Sequence, residues 1–514
     1  MTAISLEPGL MLVHGNHPEA LRDLLVTWVQ RYPLAPLENE IILVQSNGIA
    51  QWLKLALAAD PDPGGGGGCG IAAALDISLP SRFLWRVYRT VLGPAAVPEN
   101  SPFDKSRLIW RLMRLLPDLL DQPDYAPLRQ FLEQDADRRK RFQLAERLAD
   151  LFDQYQVYRA GWLEAWGRDE RVLIKANGER TPLPAGQGWQ PALWQALLAD
   201  VERTLPAPER IGRGGRAAVH AAFLRHAQTR PEGDRPAGLP RRVVVFGIAS
   251  LPRQSLEVLA MLGRWTQVLA CVPNPCEYYW GDCVADRELL RAEYRRQPRR
   301  QGSPKVLTEA ELHLHAHPLL AAWGKQGRDF IELLNEYDSP AAQAAYQPHF
   351  SAIGHRIDLF TSQPPETLLR QLQDDIRRLR PVDEARATWS PGDPATDGSL
   401  RFHLAHSPQR EVEILHDRLL AAFNADPSLR PRDVIVMVPD IDVYAPHIQA
   451  VFGLLDREDP RYLPFTVADQ VQRQVDPLLQ ALEQLLALPQ SRLTVSDVLS
   501  LLEVPALRQR FGIA

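Results

Sequence analysis

The sequence has little cysteine, little lysine and no long apolar run, and each shortage narrows what the chain can be. Four cysteines among 514 residues (Cys69, Cys271, Cys276 and Cys283) are too few for a disulfide scaffold and suit a reducing cytoplasm. No stretch approaches the roughly 18 consecutive apolar residues of a membrane-spanning helix. The opening residues, MTAISLEPGLMLVHGNHPEAL, have neither a basic leader region nor a cleavage site, so no signal peptide and no membrane contact are expected. Only six of the 58 basic residues are lysines. A GC-rich coding sequence accounts for that bias, although arginine forks also suit phosphate. A net charge of −5 excludes a dominant non-specific nucleic-acid binder but leaves room for a local basic groove.

What is present is an ordinary globular composition, 45 % hydrophobic and 24 % charged. The length suits about three or four domains. Leu10–Val13 is an apolar run, His14–Pro18 a loop, and Glu19–Val29 has apolar residues at helical spacing. Ile41–Val44 is a second run, followed by a loop at Gln45–Gly48. Ile49, Trp52, Leu53 and Ala56 then mark one helix face. Buried strands alternating with helices predict a parallel α/β sheet. The glycine run 64–68 reads as a lengthened surface loop, because no strand precedes it and no Lys-Ser/Thr follows.

From about 81 to 230 the pattern is helical, strongest over Ser106–Leu120 and Arg138–Tyr158. Residues 206–242, with eight arginines against three acidic residues, read as a linker or exposed loop. Strands return at Arg242–Ile248 and Val268–Val272, with a helix at Leu251–Leu262 between them. The arginine-rich stretch 285–305 reads as exposed. Further on, Leu400–Ala405 and Asp433–Val438 read as strands, Gln409–Phe423 and the segment after Tyr444 as helices, and 474–509 as helical.

The expected fold class is α/β: helicase-like parallel-sheet domains of P-loop NTPase type, with a degenerate ATP site and helical insertions. The expected division is a first sheet part at 1–90, a helical insertion at 91–235 and a second sheet part at 236–361. A linker at 362–398, the start of a second helicase-like domain at 399–472 and the start of a second helical insertion at 473–514 complete it.

The chemistry of a nucleotide site is missing. A phosphate loop wraps glycine amides around the phosphates and adds a lysine and a magnesium-binding hydroxyl. At the corresponding place, VQSNGIAQWL (44–53), Gly48 remains but Ala50 and Gln51 supply neither. Gly324–Lys325 lacks the flanking glycine and hydroxyl and reads as a helical or turn segment. After the strand at 243–248 come Ala249, Ser250 and Leu251, not an acidic pair. Asp440 and Asp442 could hold magnesium, but capping of the following helix is the simpler reading. The spacing of Cys271, Cys276 and Cys283 matches no strong metal template. No cofactor and no metal are expected on this chain.

Two stretches combine polar groups with aromatics: Gln45, Asn47, Gln51 and Trp52 with Leu79, Phe83 and Trp85, and DLFDQYQVYR at 150–159. Amides read base edges and rings stack on unpaired bases. The competing reading is core aromatics and solvated helix faces.

Segments EIILVQSNGIAQWL (40–53), GIAAALDISLPSRFLW (70–85), ADLFDQYQVYRAGW (149–162), VVFGIASLP (244–252), NPCEYYWGD (274–282), PLLAAWGKQGRDF (318–330), HSPQREVEILHDRL (406–419) and 432–452 follow one another along the chain. Through them the chain resembles the RecC family, the gamma chains of exodeoxyribonuclease V. The resemblance implies two helicase-like domains without ATPase activity, in a bacterial cytoplasmic complex that repairs double-strand ends. Such a chain splits duplex DNA, holds RecB-like and RecD-like partners in a heterotrimer, and scans the 3′-ended single strand for the Chi sequence. The partners supply ATP hydrolysis, Mg2+ and DNA cleavage.

By the same resemblance the Chi-scanning residues are Gln45, Asn47, Gln51, Leu79, Trp85, Asp150, Leu151, Asp153, Gln154 and Arg159, with Arg216 a looser match. Asn47 departs from the small hydroxyl residue of the family pattern, so the sequence recognised is expected to differ; the glycine run 64–68 is an insertion relative to that pattern. The alternative, an active ATP-dependent chain of the AddB type, would need a working phosphate loop or a cysteine cluster. Family chains run well beyond this length, so the chain is read as an N-terminal fragment or a truncated product.

Overall fold

The computed structural model describes residues 7–62, 67–133, 138–175, 178–204, 215–231, 234–280, 317–390, 396–468 and 476–512. Cys283, the stretch 285–305 and Gly64–Gly66 lie outside them. Residues 1–393 form one unit and 394–514 another.

The first unit is built on an all-parallel sheet in the order β1-β7-β6-β2-β3. The strands are β1 (Gly9–Gly15), β2 (Glu40–Leu43), β3 (Leu75–Ser78), β6 (Arg242–Phe246) and β7 (Gln267–Pro273). Strand side chains alternate between faces, and both faces are buried, as a parallel sheet requires. Leu12, Ile41, Leu43, Val243, Val245, Val268 and Ala270 point to one side. There they meet α3 (Pro80–Leu92), α9 (Gly215–Thr229), α10 (Arg253–Leu262) and α12 (Lys325–Asn335). Met11, Val13, Ile42, Val44, Val244, Phe246, Leu269 and Cys271 point to the other. These pack on α1 (Pro18–Arg31), α2 (Asn47–Ala58) and α13 (Pro340–Ser351). The short edge strand β3 is absent from the sequence reading, because its two apolar residues are only half-buried.

After β3 the chain leaves the sheet and returns at β6. Between them, α4 (Lys105–Leu119), α5 (Ala126–Leu132), α6 (Arg139–Tyr158), α7 (Ala160–Gly167) and α8 (Trp189–Thr204) enclose a separate core. Phe152 stacks on Trp194 at 5.6 Å in its centre. The helical expectation omitted a hairpin here, β4 (Val172–Ile174) with β5 (Arg180–Pro182).

The stretch 362–398, expected to be a linker, carries two helices, α14 (Leu368–Arg377) and α15 (Val382–Thr388). Its charges are not solvated: Asp374, Asp375, Arg377 and Arg380 are buried against one another, with Arg380 donating to both Asp374 and Asp375 at 2.9 Å. A buried ion cluster and a polar linker have the same composition, which is why the sequence did not separate them.

In the second unit, α16 (Pro408–Ala425) and α17 (Ile441–Phe452) form as expected, followed by α18 (Pro477–Ala487), α19 (Val495–Glu503) and α20 (Pro505–Phe511). The strands expected at Leu400–Ala405 and Asp433–Val438 do not form among the described residues. Neither segment takes part in a sheet, Asp433 closes a short 3-10 turn, and Phe402, Leu404, Ile435 and Met437 are 84–97 % exposed. Alternation gives a segment strand character, but a strand exists only with a hydrogen-bonded neighbour.

Candidate nucleic-acid interface

The junction where a phosphate loop would stand is short. Strand β2 ends at Leu43, and Val44 still donates to the Ser78 carbonyl at 3.1 Å. Ser46 already caps α2, its hydroxyl accepting from the Ile49 amide at 3.4 Å. The loop expected at Gln45–Gly48 is therefore shorter, since Asn47 and Gly48 belong to the helix. A Cβ on Gly48 would meet only the Ser46 hydroxyl, at 3.8 Å. No concave glycine cradle exists here, the capping hydroxyl is engaged, and Ile49, Ala50 and Gln51 rather than a lysine follow Gly48. The residues do not fit a nucleotide phosphate.

What the junction presents instead is amides. Gln45, Asn47 and Gln51 are exposed, and their side chains hydrogen-bond to nothing among the described residues. Asn47 and Gln51 lie one turn apart on α2 and so share a face. Beside Gln51, Arg22 lies over the Trp52 ring at 5.0 Å. Because Leu43 is in register with Ser78, Gln45 and Leu79 both follow the carboxyl ends of neighbouring strands. Leu79 is half exposed. The carboxyl end of a parallel sheet is where such folds bind ligands. Trp85 is tied differently. Its indole N–H is shared by the carbonyls of Pro98 and Glu99 at 3.0 and 3.1 Å, and its ring packs edge-on to Tyr88. It serves as a half-buried wall.

The second group converges around Arg216. Asp150, Asp153 and Gln154 occupy one face of α6, at i, i+3 and i+4. Arg216, near the start of α9, donates to the Asp104 carboxylate at 3.0 Å and lies 3.5 Å from Asp153 Oδ1. Lys105 pairs with Asp150 at 2.8 Å, and Gln154 donates to the same carboxylate at 3.0 Å. Asp104, Lys105, Ser106, Ile109, Asp153 and Arg216 line an open depression of about 510 Å³. The hydrogen bond from Lys105 holds the Asp150 carboxyl below its usual range. Burial pushes the Asp153 carboxyl up, although Arg216 opposes it. Asp153 Oδ1 accepts no hydrogen bond among the described residues.

Leu151 is half-buried, and Arg159 sits apart, capping α6 with its guanidinium over Trp162 at 5.5 Å. The first and second groups share no hydrogen bond or ion pair among the described residues. Asp104 and Lys105 were not anticipated. Their signal, an aspartate at the position preceding a helix, is the common signature of a cap. Here the Asp104 side chain makes no cap bond and faces Arg216.

The balance of groups limits the chemistry. Three carboxylates (Asp104, Asp150 and Asp153) against two cations (Lys105 and Arg216) leave the face net negative, which disfavours a phosphate backbone. Carboxylates accept from base amino groups, and amides pair with base edges in both directions. The surface suits edge recognition of unpaired bases better than charge neutralisation.

The other candidate chemistries resolve structurally. Asp440 is the N-cap of α17 and accepts from the Asp442 amide at 3.0 Å, as the capping reading expects. Gly324 joins two helices, α11 (Pro318–Trp323) and α12. The Cys271 thiol is buried in β7 and pushed up to about 12 by that burial. Cys276 donates its thiol to the Arg377 carbonyl at 3.3 Å. Among the described residues no helix is long and apolar enough to cross a membrane.

The N-terminal domain family of RecC matches residues 10–379, and the family of the RecBCD enzyme subunit RecC fourth domain matches 475–514. The RecBCD enzyme subunit RecC of Escherichia coli K12 is 39 % identical across 98 % of this chain, and that of Haemophilus influenzae is 36 % identical across 98 %. That of Mycobacterium tuberculosis is 29 % identical across 93 %. The chain spans less than half the length of these relatives: 43, 44 and 39 %. The alignments favour RecC over the AddB-type alternative.

Proposed function

This chain belongs to the RecC family, and on that premise we propose that it is the non-catalytic, DNA-scanning subunit of a RecBCD-type helicase and nuclease. In this reading it divides duplex ends and passes the 3′-ended strand over the amide and carboxylate groups described above, testing for a Chi sequence. RecB-like and RecD-like partners in a bacterial cytoplasmic complex hydrolyse ATP with Mg2+ and cut the DNA. No cofactor is assigned to this chain. Its domains are helicase-like, with degenerate nucleotide sites: 1–90 with 236–361 around the insertion 91–235, then 399–472 and 473–514.

The observation that carries the reading is the capped three-residue junction between β2 and α2, which offers free amides where a motor would hold ATP. The sites are tested in a complex reconstituted with RecB-like and RecD-like subunits. Gln45→Ala and Asp153→Ala are expected to lower the Chi-dependent switch in cleavage while ATP-driven unwinding continues. An unaltered Chi response across Gln45, Gln51 and Asp153 variants rejects the site assignment. ATP turnover by the isolated chain rejects the non-catalytic role.

A further inference from the structure

Among the described residues Arg216 is the one cation paired with both Asp104 and Asp153, yet it stands at the first turn of a helix, where helix ends fray. Two clamps hold that turn. The first is Gln156, fully buried on α6. Its Oε1 accepts from the Arg216 backbone amide at 3.3 Å, and its Nε2 donates to the Phe103 carbonyl at 3.1 Å. The carboxamide therefore fixes the start of α9 to the residue before Asp104.

The second clamp is His220, one turn along the same face of α9. Its Nε2 lies 2.6 Å from Glu257 on α10, and its Nδ1 lies 2.9 Å from the Tyr88 hydroxyl on α3. A carboxylate only accepts, so Nε2 carries the hydrogen. In the neutral ring Nδ1 then accepts from the tyrosine. The ring is thus held from both sides and sits 6.1 Å from the Tyr88 ring centre. Burial and the charge of Glu257 push the Tyr88 hydroxyl up, and Arg216 opposes the shift.

We propose that His220 and Gln156 are positioning residues that fix the Arg216 guanidinium between Asp104 and Asp153, and through it the geometry of the base-reading face. Both side chains are buried. The inference rests on the proposed DNA-scanning role, so the test has one readout that needs no DNA.

In the 514-residue chain, hydrogen exchange followed by mass spectrometry is compared for wild type, His220→Ala, His220→Gln and Gln156→Leu. His220→Ala and Gln156→Leu are expected to speed exchange at residues 216–220 while leaving β6 and β7 protected. His220→Gln, which keeps a donor towards Glu257, restores much of the protection. Unchanged exchange at 216–220, or acceleration spread through the sheet, overturns the clamp.

Binding of a fluorescein-labelled forked DNA with a 3′-ended oligothymidylate arm, read by anisotropy, supplies the second readout. His220→Ala weakens binding by about fivefold, within the usual range for coupled neighbours. The effect vanishes in an Arg216→Ala background. Persistence of the full effect in that background overturns the route through Arg216. If Arg216→Ala itself binds like wild type, the DNA-scanning assignment of this face fails, and exchange alone decides the clamp.

Discussion

Arg242 is a cation with no access to water. Its Nε and Nη2 meet the two oxygens of Glu40 at 2.6 and 2.5 Å, and Nη1 donates to the Tyr32 carbonyl at 2.7 Å. The pair joins β2 to β6 where the sheet's two sequence-distant parts meet. Removing one partner leaves a buried charge alone, so Glu40→Ala should cost about 3–5 kcal/mol. Replacing both by apolar residues (Glu40→Leu with Arg242→Met) should cost much less, because the desolvation goes with the charges. Urea midpoints of the single and double variants decide it, and equal losses would show that the ion pair contributes more than it demands.

A second buried carboxylate makes a pH statement. Burial works to raise the Asp200 carboxyl, but hydrogen bonds from Arg111 and Arg114 outweigh it, and the group titrates below its usual 3.8. A carboxyl depressed on folding adds stability above its unfolded value and loses it as pH falls through the folded one. The helical core around Phe152 should therefore weaken below about pH 4. Asp200→Asn should be less stable near neutrality yet show a flatter decline in that acid range. Urea titrations at stepped pH test this, and parallel curves would remove Asp200 from the acid response.

At the scale of elements, α9 begins at a glycine that cannot easily be replaced. Gly215 has φ of +74°, and a Cβ there would meet Gln156 Oε1 at 3.1 Å. The left-handed conformation alone costs an L-residue roughly 1–2 kcal/mol. The clash adds displacement of the carboxamide that holds Arg216. Gly186, at φ +79° with nothing within 4 Å, isolates the backbone term. Gly215→Ala should lower the melting temperature more than Gly186→Ala and should also weaken forked-DNA binding. A DNA defect of equal size in both variants would argue against the link.

The same scale shows what could be read from the sequence and what could not. β1, β2, β6 and β7 were legible because each is a run buried on both faces. Ser106–Leu120 and Arg138–Tyr158 were legible from period, within a residue of α4 and α6. β3 was not, because an edge strand needs few apolar residues. Asp374 and Arg380 were misread because composition does not distinguish a charge that is paired inside from one in water. The segments at 400–405 and 433–438 failed in the opposite direction: their alternation is local, and pairing is not. In the candidate site, Asp153 and Gln154 were named from the family resemblance. Gln156 and His220 carry no motif, since their roles depend on contacts 60 and 37 residues away.

At the scale of the whole molecule, charge argues against a chain that holds DNA by its phosphates. The net charge is −5, and at the candidate face Lys105 is already paired with Asp150, and Arg216 with Asp104. Few cations are left to displace counterions. For single strands the logarithm of affinity falls by about 0.7 per phosphate neutralised for each unit of log salt. With Arg159 as the available contact, the slope should be about −0.7 by that rule. Anisotropy titrations of the forked DNA across a salt series measure it directly. A slope steeper than about −3 would mean that more than four phosphates are gripped. The binding surface would then lie outside the acidic, amide-rich face. A shallow slope that steepens in Asp153→Asn would show instead that the carboxylates set the preference for bases over backbone.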